Sequence, residues 1–365
     1  MPTIKELASY LETIAPPSLQ ESYDNAGLIV GSFSEEIQGV LVSLDCTEAV
    51  VDEAIKHNCN VIVSHHPIVF SGIKKLNGKN YVERIVIKAI KNNIAIYAIH
   101  TNLDNVHTGV NKKICDKLGL KNTSVLAPKK NVLRKLVTFC PKDHADKVHE
   151  GLFAAGCGHI GNYDQCSFNA EGTGTFRGSD KTNPYVGEKG KQHHEAEVRI
   201  ETVFPAYIET VVIEALLKAH PYEEVAYDIY SLENYHQQIG SGMVGELEKE
   251  MEEKEFLTHL KSAMEAGCIR YTAFTGKKVK RVAVCGGAGS FLLQDAIRAG
   301  AQMFVTADYK YHQFFDADGR IVIADIGHYE SEHFTSELLK ELLINNFSTF
   351  AVRLSEMVTN PVHYF

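Results

Sequence analysis

Residues 40–66 read VLVSLDCTEAVVDEAIKHNCNVIVSHH, and residues 282–308 read VAVCGGAGSFLLQDAIRAGAQMFVTAD; the two stretches align without a gap. Val40 falls on Val282, Ala54 on Ala296, Ile55 on Ile297, Val63 on Val305 and Ser64 on Thr306. Each copy is a short apolar run, a segment with apolar spacings of three and four, and a second apolar run. The pattern predicts strand, helix and strand over 39–44, 47–57 and 60–64, and again over 281–285, 290–299 and 302–306. Such a βαβ unit implies neighbouring parallel strands and a right-handed crossover. Consecutive apolar residues (Val61-Ile62-Val63, Met303-Phe304-Val305) suit strands covered on both faces. The predicted fold class is therefore α/β, with two repeated βαβ-containing halves.

The repeat extends into residues that carry chemistry. Each copy is followed by another apolar strand, a histidine and, four residues on, an acid: His100 with Asp104 in IAIYAIHTNLD, His328 with Glu332 in IVIADIGHYESE. The first copy itself ends in His65-His66-Pro67. Adjacent residues on a strand face opposite ways, so both histidines serve one site only if the strand ends there. Pro67, lacking an amide donor, fits that ending. Loops at the carboxyl ends of parallel strands are the usual ligand sites of α/β proteins. Imidazoles with carboxylates suit two divalent ions, one acid bridging them.

A lone His-His pair is as readily a surface or core feature; the duplicated His-x-x-x-acid pattern favours a metal centre shared by the two halves. His100 either touches a metal or supports a ligand by hydrogen bonding. Asp45 and Asp308, at strand ends, would orient histidines or accept a proton, with a helix cap before Thr47 as the alternative for Asp45. Cys285-Gly286-Gly287-Ala288-Gly289-Ser290 is either an anion seat on helix amides or a tight turn beside the site. Neither a Gly-x-Ser-x-Gly elbow nor a phosphate-binding Gly-x-x-x-x-Gly-Lys-Ser/Thr loop occurs.

Between the copies the pattern changes. Strands are predicted over 134–141, 160–176 (with turns at Gly161 and Gly172), 197–204 and 224–231, and helices over 143–155 and 207–220. This βαββαβ order is the ferredoxin-like arrangement. Residues 179–195 read as an exposed loop containing a solvated His193-His194-Glu195, and the acid-rich stretch 248–255 as the solvated face of a helix. The predicted division is 1–130 for the first half, 131–233 for the insert and 234–365 for the second half.

The totals narrow the function classes. The 365 residues are 44% hydrophobic and 23% charged, the profile of a globular protein. A net charge of −9 disfavours a nucleic-acid backbone as partner. No apolar run approaches membrane-spanning length, and the start, MPTIKELASYLETI, reads as an amphipathic helix rather than a targeting signal. Eight cysteines without a Cys-x-x-Cys pair point to buried thiols in a reducing, cytoplasmic setting.

Together these residues resemble the NIF-three-like family, whose members are often labelled GTP cyclohydrolase 1 type 2 homologues. The resemblance runs through Tyr23-Asp24-Asn25-Ala26-Gly27-Leu28, Ser43-Leu44-Asp45-Cys46-Thr47, Ser64-His65-His66-Pro67 and His100-Thr101-Asn102-Leu103-Asp104. It continues in the glycine turn 286–290, in Thr306-Ala307-Asp308 and in Gly327-His328-Tyr329-Glu330-Ser331-Glu332. It implies a dinuclear centre made by His65, His66, Asp104, His328 and Glu332, with Glu332 bridging, His66 and Asp104 on one ion, and His65 and His328 on the other. It also implies a PII-like or CutA-like inserted module, marked by His220-Pro221-Tyr222-Glu223-Glu224, and a toroidal homohexamer with its metal sites facing inward. The expected activity is metal-dependent hydrolysis of a nucleotide-like small molecule. Zinc is the first choice of ion and iron or manganese the alternatives; Asp308 or His100 would shuttle the proton. The competing expectation is a non-catalytic metal-binding regulatory or scaffold protein that forms a ring.

Overall fold

In the first copy of the repeat, strand Gly39–Ser43, helix Glu48–Lys56 and strand Val61–Ser64 follow one another. The strands are parallel, Val40 opposite Val61 and Ser43 opposite Ser64, and every residue of both is buried. Helix Tyr81–Lys91 then leads into strand Ala95–Ala98, also parallel, with Ser64 opposite Ala98. The two helices start on side-chain caps, Thr47 and Asn80, that accept the amides of Val50 and Glu83. Their apolar stripes (Val50, Val51 and Ala54; Ile85, Val86 and Ala89) pack with Leu41, Ile62 and Ile96. Each large aliphatic side chain buried there contributes roughly 1.5–3 kcal/mol.

The second copy repeats this with strands Val279–Ala288, Met303–Ala307 and Val322–Asp325, all parallel, Val282 opposite Met303 and Thr306 opposite Asp325. Its crossover is shorter than the spacing predicts: a 3₁₀ turn, Ser290–Leu292, precedes helix Leu293–Arg298. The computed structural model describes residues 1–365 and divides into two units, Met1–Pro128 with Gln238–Phe365, and Lys129–Gln237. Both copies lie in the first unit. Its five-stranded sheet runs Gly27–Val30, Ala95–Ala98, Val61–Ser64, Gly39–Ser43, Ala351–Leu354. Its six-stranded sheet runs Arg270–Tyr271, Val322–Asp325, Met303–Ala307, Val279–Ala288, His236–Met251, Lys121–Lys129. The halves exchange edges. Ala351–Leu354 lies parallel to Gly39–Ser43 in the first sheet, while Lys121–Lys129 belongs to the second.

The acid-rich stretch 248–255 is split: it forms the end of strand His236–Met251 and the start of helix Glu253–Ala263. The strand part pairs with strand Val279–Ala288, Met251 opposite Val279, and Glu250 meets Lys278 just before that strand at 3.1 Å.

Unit Lys129–Gln237 has the element order βαββαβ: Leu133–Pro141, Ala145–Ala154, Ser167–Phe176, His193–Pro205, Glu209–Ala219, Tyr227–Leu232. The wholly antiparallel sheet runs Ser167–Phe176, His193–Pro205, Leu133–Pro141, Tyr227–Leu232. Val148 and Leu152 of one helix and Val212 and Leu216 of the other cover Leu136, Ile200 and Phe204 of the sheet. Three details differ from the sequence expectation. Gly172 sits mid-strand opposite Glu197 and makes no turn. Residues 160–163 close only an isolated bridge, because Gly158 and Gly161 adopt positive φ there. His193 and Glu195 open a strand instead of lying in a solvated loop: the His193 ring packs 5.3 Å from Phe176, and its Nε2 meets Glu195 at 2.7 Å. All eight cysteines are free thiols, and no helix is long and apolar enough to cross a membrane.

Candidate metal centre

Strand Val61–Ser64 ends immediately before His65, which releases His65 and His66 from strand alternation. Strand Ala95–Ala98 runs out into His100 and the single helical turn Thr101–Asp104. In the other half, Val322–Asp325 runs out through Gly327 into the short helix His328–Glu332. Residues four apart on a helix share a face, so His328 and Glu332 project together.

These strand ends meet. His66 Nε2 lies 3.3 Å from His328 Nε2 and 3.0 Å from Glu332 Oε2, and His328 Nε2 is 3.0 Å from the same oxygen. His65 Nε2 lies 3.7 Å from Asp104 Oδ1 and 3.9 Å from Glu332 Oε2. Two triads that could hold a metal ion result, His66–His328–Glu332 and His65–Asp104–Glu332. This grouping departs from the pairing the resemblance implies, which joins His66 to Asp104 and His65 to His328. The turn Thr101–Asp104 carries Asp104 to the buried His65, whereas His328 reaches His66 from the opposite half. The His100 ring stands 5.3 Å from His65 and 5.4 Å from His66, and these three histidines form a further cluster.

The outer nitrogens explain the inward ones. His65 Nδ1 donates to the Ile99 carbonyl at 2.9 Å. Carboxylates hold the other three at 2.7 Å: Asp45 on His66, Asp24 on His100 and Asp308 on His328. A carbonyl or carboxylate only accepts, so each Nδ1 carries the proton and the Nε2 lone pair of the neutral ring faces inward. Asp45 is thus an orienting residue. The helix cap is Thr47, and the second oxygen of Asp45 accepts the Thr359 hydroxyl at 2.6 Å. Asp24 and Thr359 are site residues that no spacing pattern in the sequence marks. Asp24 stands 76 residues from His100, and the Tyr23-Asp24-Asn25 motif was its only signal. Asp308 reaches His328 from a left-handed backbone, φ 57°, which a non-glycine residue adopts at a cost of about 1–3 kcal/mol.

Charge is distributed unevenly. Burial pushes the His65 pKa down to about 3, so this ring is neutral. Burial also opposes protonation of His66, but hydrogen bonds to Asp45 and Glu332 outweigh it and hold its pKa up at about 9. The charge of Glu332, helped by Asp308, raises His328 to about 11. Burial and the neighbouring Glu332 push Asp104 well above the usual carboxylate range. Burial would raise Glu332 too, but His328 and His66 draw it well below that range.

The residues fit a cation. His65 Nε2 and Asp104 Oδ1 are buried and have no hydrogen-bond partner, a state that costs each about 1–3 kcal/mol. The 3.0–3.3 Å spacing of the first triad matches the edge of a tetrahedron with ligand bonds of about 2.0–2.1 Å. The glycine turn makes room for Glu332. The amides of Gly286, Gly287 and Gly289 are taken by the side chains of Asn111, Ser331 and Thr306, which makes this segment a tight turn rather than an anion seat. Gly287 has φ +59°, and a Cβ there would stand 2.5 Å from Glu332 Oε1. Gly287→Ala is therefore expected to weaken metal binding by at least about ten-fold while leaving the fold intact, as read by chelator competition and circular dichroism. Around the cluster opens a cleft of about 1310 Å³, walled by Tyr23 and Phe70 from the first half and Arg270, Phe291 and Tyr364 from the second.

Known proteins share this chain from end to end. A relative from Halalkalibacterium halodurans, named GTP cyclohydrolase 1 type 2 homolog, is 42% identical over 320 residues, 87% of this chain and 86% of that one. A Bacillus subtilis protein of the same name is 38% identical over 362 residues, 98% and 97% of the two chains. A solved structure of a Bacillus cereus protein related to NIF3 superposes with a TM-score of 0.87 at 39% identity, covering 100% of this chain and 99% of that one. Residues 2–361 match the family described as Duf34/NIF3 (NGG1p interacting factor 3), and the chain belongs to that family.

Proposed function

We propose that this protein is a metal-dependent hydrolase that holds two divalent ions, one on His66, His328 and Glu332 and the other on His65, Asp104 and Glu332. The observation that carries the reading is the pair of buried, partnerless atoms His65 Nε2 and Asp104 Oδ1, 3.7 Å apart beside the shared carboxylate. The chemistry such ions supply is activation of water near neutral pH and stabilisation of charge developing on the substrate. The chain's own residues do the rest. Asp45 and Asp308 lock the His66 and His328 tautomers, and His100, fixed by Asp24, stands at the rim of the cluster as a proton acceptor. Asp308, half-exposed, is the second candidate for moving a proton to solvent. Mixed imidazole and carboxylate donors suit zinc first, then iron or manganese.

The names of the relatives supply the substrate class, a nucleotide-like compound, and hence ring opening of a guanine base with loss of formate. Within the same reading, residues 131–233 are a ferredoxin-like module of the PII or CutA type, inserted in the sequence between core halves 1–130 and 234–365. The working assembly is a toroidal homohexamer. Metal analysis of freshly purified protein, followed by a nucleotide panel scored separately for formate and phosphate, tests the activity. Turnover that survives in a folded, metal-free Glu332→Ala variant would refute it. The alternative, a metal-holding scaffold, draws on the fact that the ligands come from both sheets. It predicts that chelation unfolds the first unit instead of merely silencing it.

Metal uptake has a defined proton linkage. In the metal-free protein His66 and His328 hold protons at pH 7, because their pKa values are raised to about 9 and about 11. Binding must displace those protons, so apparent affinity rises with pH, more steeply below about 9, where both rings must lose a proton, and less steeply from there to about 11, where only His328 must. His65, with its pKa near 3, contributes nothing to this slope. Titration calorimetry of zinc into the metal-free protein, in buffers of different ionisation enthalpy, is expected to report proton release at pH 7 that shrinks above pH 9.

A further inference from the structure

A second pocket, of about 600 Å³, lies wholly within unit Lys129–Gln237, between strand Ser167–Phe176, the loop 177–192 and the segment after helix Glu209–Ala219. Its volume is that of a small-molecule site. Four aromatic residues line it, Phe139, Phe176, Tyr185 and Tyr222. Phe176 and Tyr222 stand 6.0 Å apart between centroids at 60°, and Tyr185 and Tyr222 stand 6.3 Å apart at 48°. These pairs are edge-on and tilted, so neither pair is stacked face to face.

Each wall is held in place. The Tyr222 amide donates to His220 Nδ1 at 3.1 Å, and His220 Nε2 donates to the Phe139 carbonyl at 2.9 Å. The Tyr185 hydroxyl bonds His144 Nε2 at 2.8 Å. The Asn183 amide donates to Glu223 at 2.8 Å, tying the loop across the pocket. Of the four carboxylates that line the pocket, Glu171, Glu197, Glu223 and Glu224, Glu197 is the one that meets a ring's hydroxyl. It accepts the Tyr222 hydroxyl at 2.8 Å and lies across Gly174, where any Cβ would overlap it. Two arginines, Arg177 and Arg199, also line the pocket, against four carboxylates, and Arg199 is paired with Glu201 and stands over the Phe139 ring. Aromatic faces attract a cation within about 6 Å, most strongly when it is weakly hydrated, and Glu197 supplies the opposite charge.

We propose that this pocket binds an organic cation, a methylated ammonium group seated between Phe176, Tyr185 and Tyr222 with Glu197 as counter-charge. The probe is choline, set against its neutral isostere 3,3-dimethylbutan-1-ol, titrated into the full-length, metal-loaded protein by calorimetry. Choline is expected to saturate one site per chain and to bind at least about ten-fold tighter than the isostere. Tyr222→Leu and Glu197→Gln should each weaken choline by about ten-fold or more, whereas Tyr222→Phe, which keeps the ring and frees the carboxylate, should not weaken it. Thermal unfolding and metal content of each variant report whether the chain is intact. Equal binding of choline and the isostere would overturn the proposal, as would indifference to Glu197→Gln in a folded protein. So would an absence of saturation up to about 10 mM choline.

Discussion

Glu332→Ala is expected to abolish metal binding at both positions, leaving less than about a tenth of the wild-type metal after gel filtration. Its Oε2 atom is the one atom that belongs to both triads, 3.0 Å from His66 Nε2, 3.0 Å from His328 Nε2 and 3.9 Å from His65 Nε2. Removing it subtracts a donor from each position and takes away the charge that does most to raise the His328 pKa. His328→Ala gives the contrast. It takes a ligand from one triad and leaves His65, Asp104 and Glu332 in place, so about half of the metal should persist. Inductively coupled plasma mass spectrometry of the two variants separates these outcomes. A Glu332→Ala protein that retained a full complement would show that the shared carboxylate is not the bridge.

The largest effect on stability is expected at Gly109. Its backbone passes so close to the short turn Thr101–Asp104 that a Cβ would overlap the Leu103 carbonyl oxygen and come within 3.1 Å of Val106 Cγ2. Leu103 is fully buried, and Gly109 also opens helix Val110–Lys117 by accepting the Lys113 amide. Neither backbone can yield without moving the other. Gly109→Ala should therefore cost about 3 kcal/mol or more, seen as a lower urea midpoint for the metal-free protein. It should also weaken metal binding, because Asp104 is the residue after Leu103. Gly72→Ala is the control: its Cβ meets nothing within 4 Å, and the change should stay within about 0.5 kcal/mol.

The repeated βαβ units are written in local apolar periodicity, and the two sheets are built on them. The histidines and acids stand at strand ends, which the same periodicity locates. What stayed hidden depends on contacts between distant residues. Which imidazole meets which acid is decided by how one helical turn, Thr101–Asp104, leaves its strand, a matter of a few torsion angles. Asp24 and Thr359 act through hydrogen bonds to His100 and Asp45; the motif around Asp24 does not point to a histidine 76 residues away, and nothing in the local sequence marks Thr359. Glu248 and Glu250 read as a helix face because charges alternating with other polar residues look alike at either period. They lie in a strand because it pairs with strand Val279–Ala288, with Met251 opposite Val279, a contact between segments far apart in sequence. The exchange of Ala351–Leu354 and Lys121–Lys129 between sheets leaves no local trace either.

The sequence distances spanned by the centre bear on how the protein is made. His66 and Glu332 are 266 residues apart, and Asp45 and Thr359 are 314 apart. A nascent chain arrested near residue 300 would carry His65, His66, His100 and Asp104, but neither the shared carboxylate nor the hydroxyl that steadies Asp45. Loading of the ions is thereby deferred until the second half has been translated and has closed on the first.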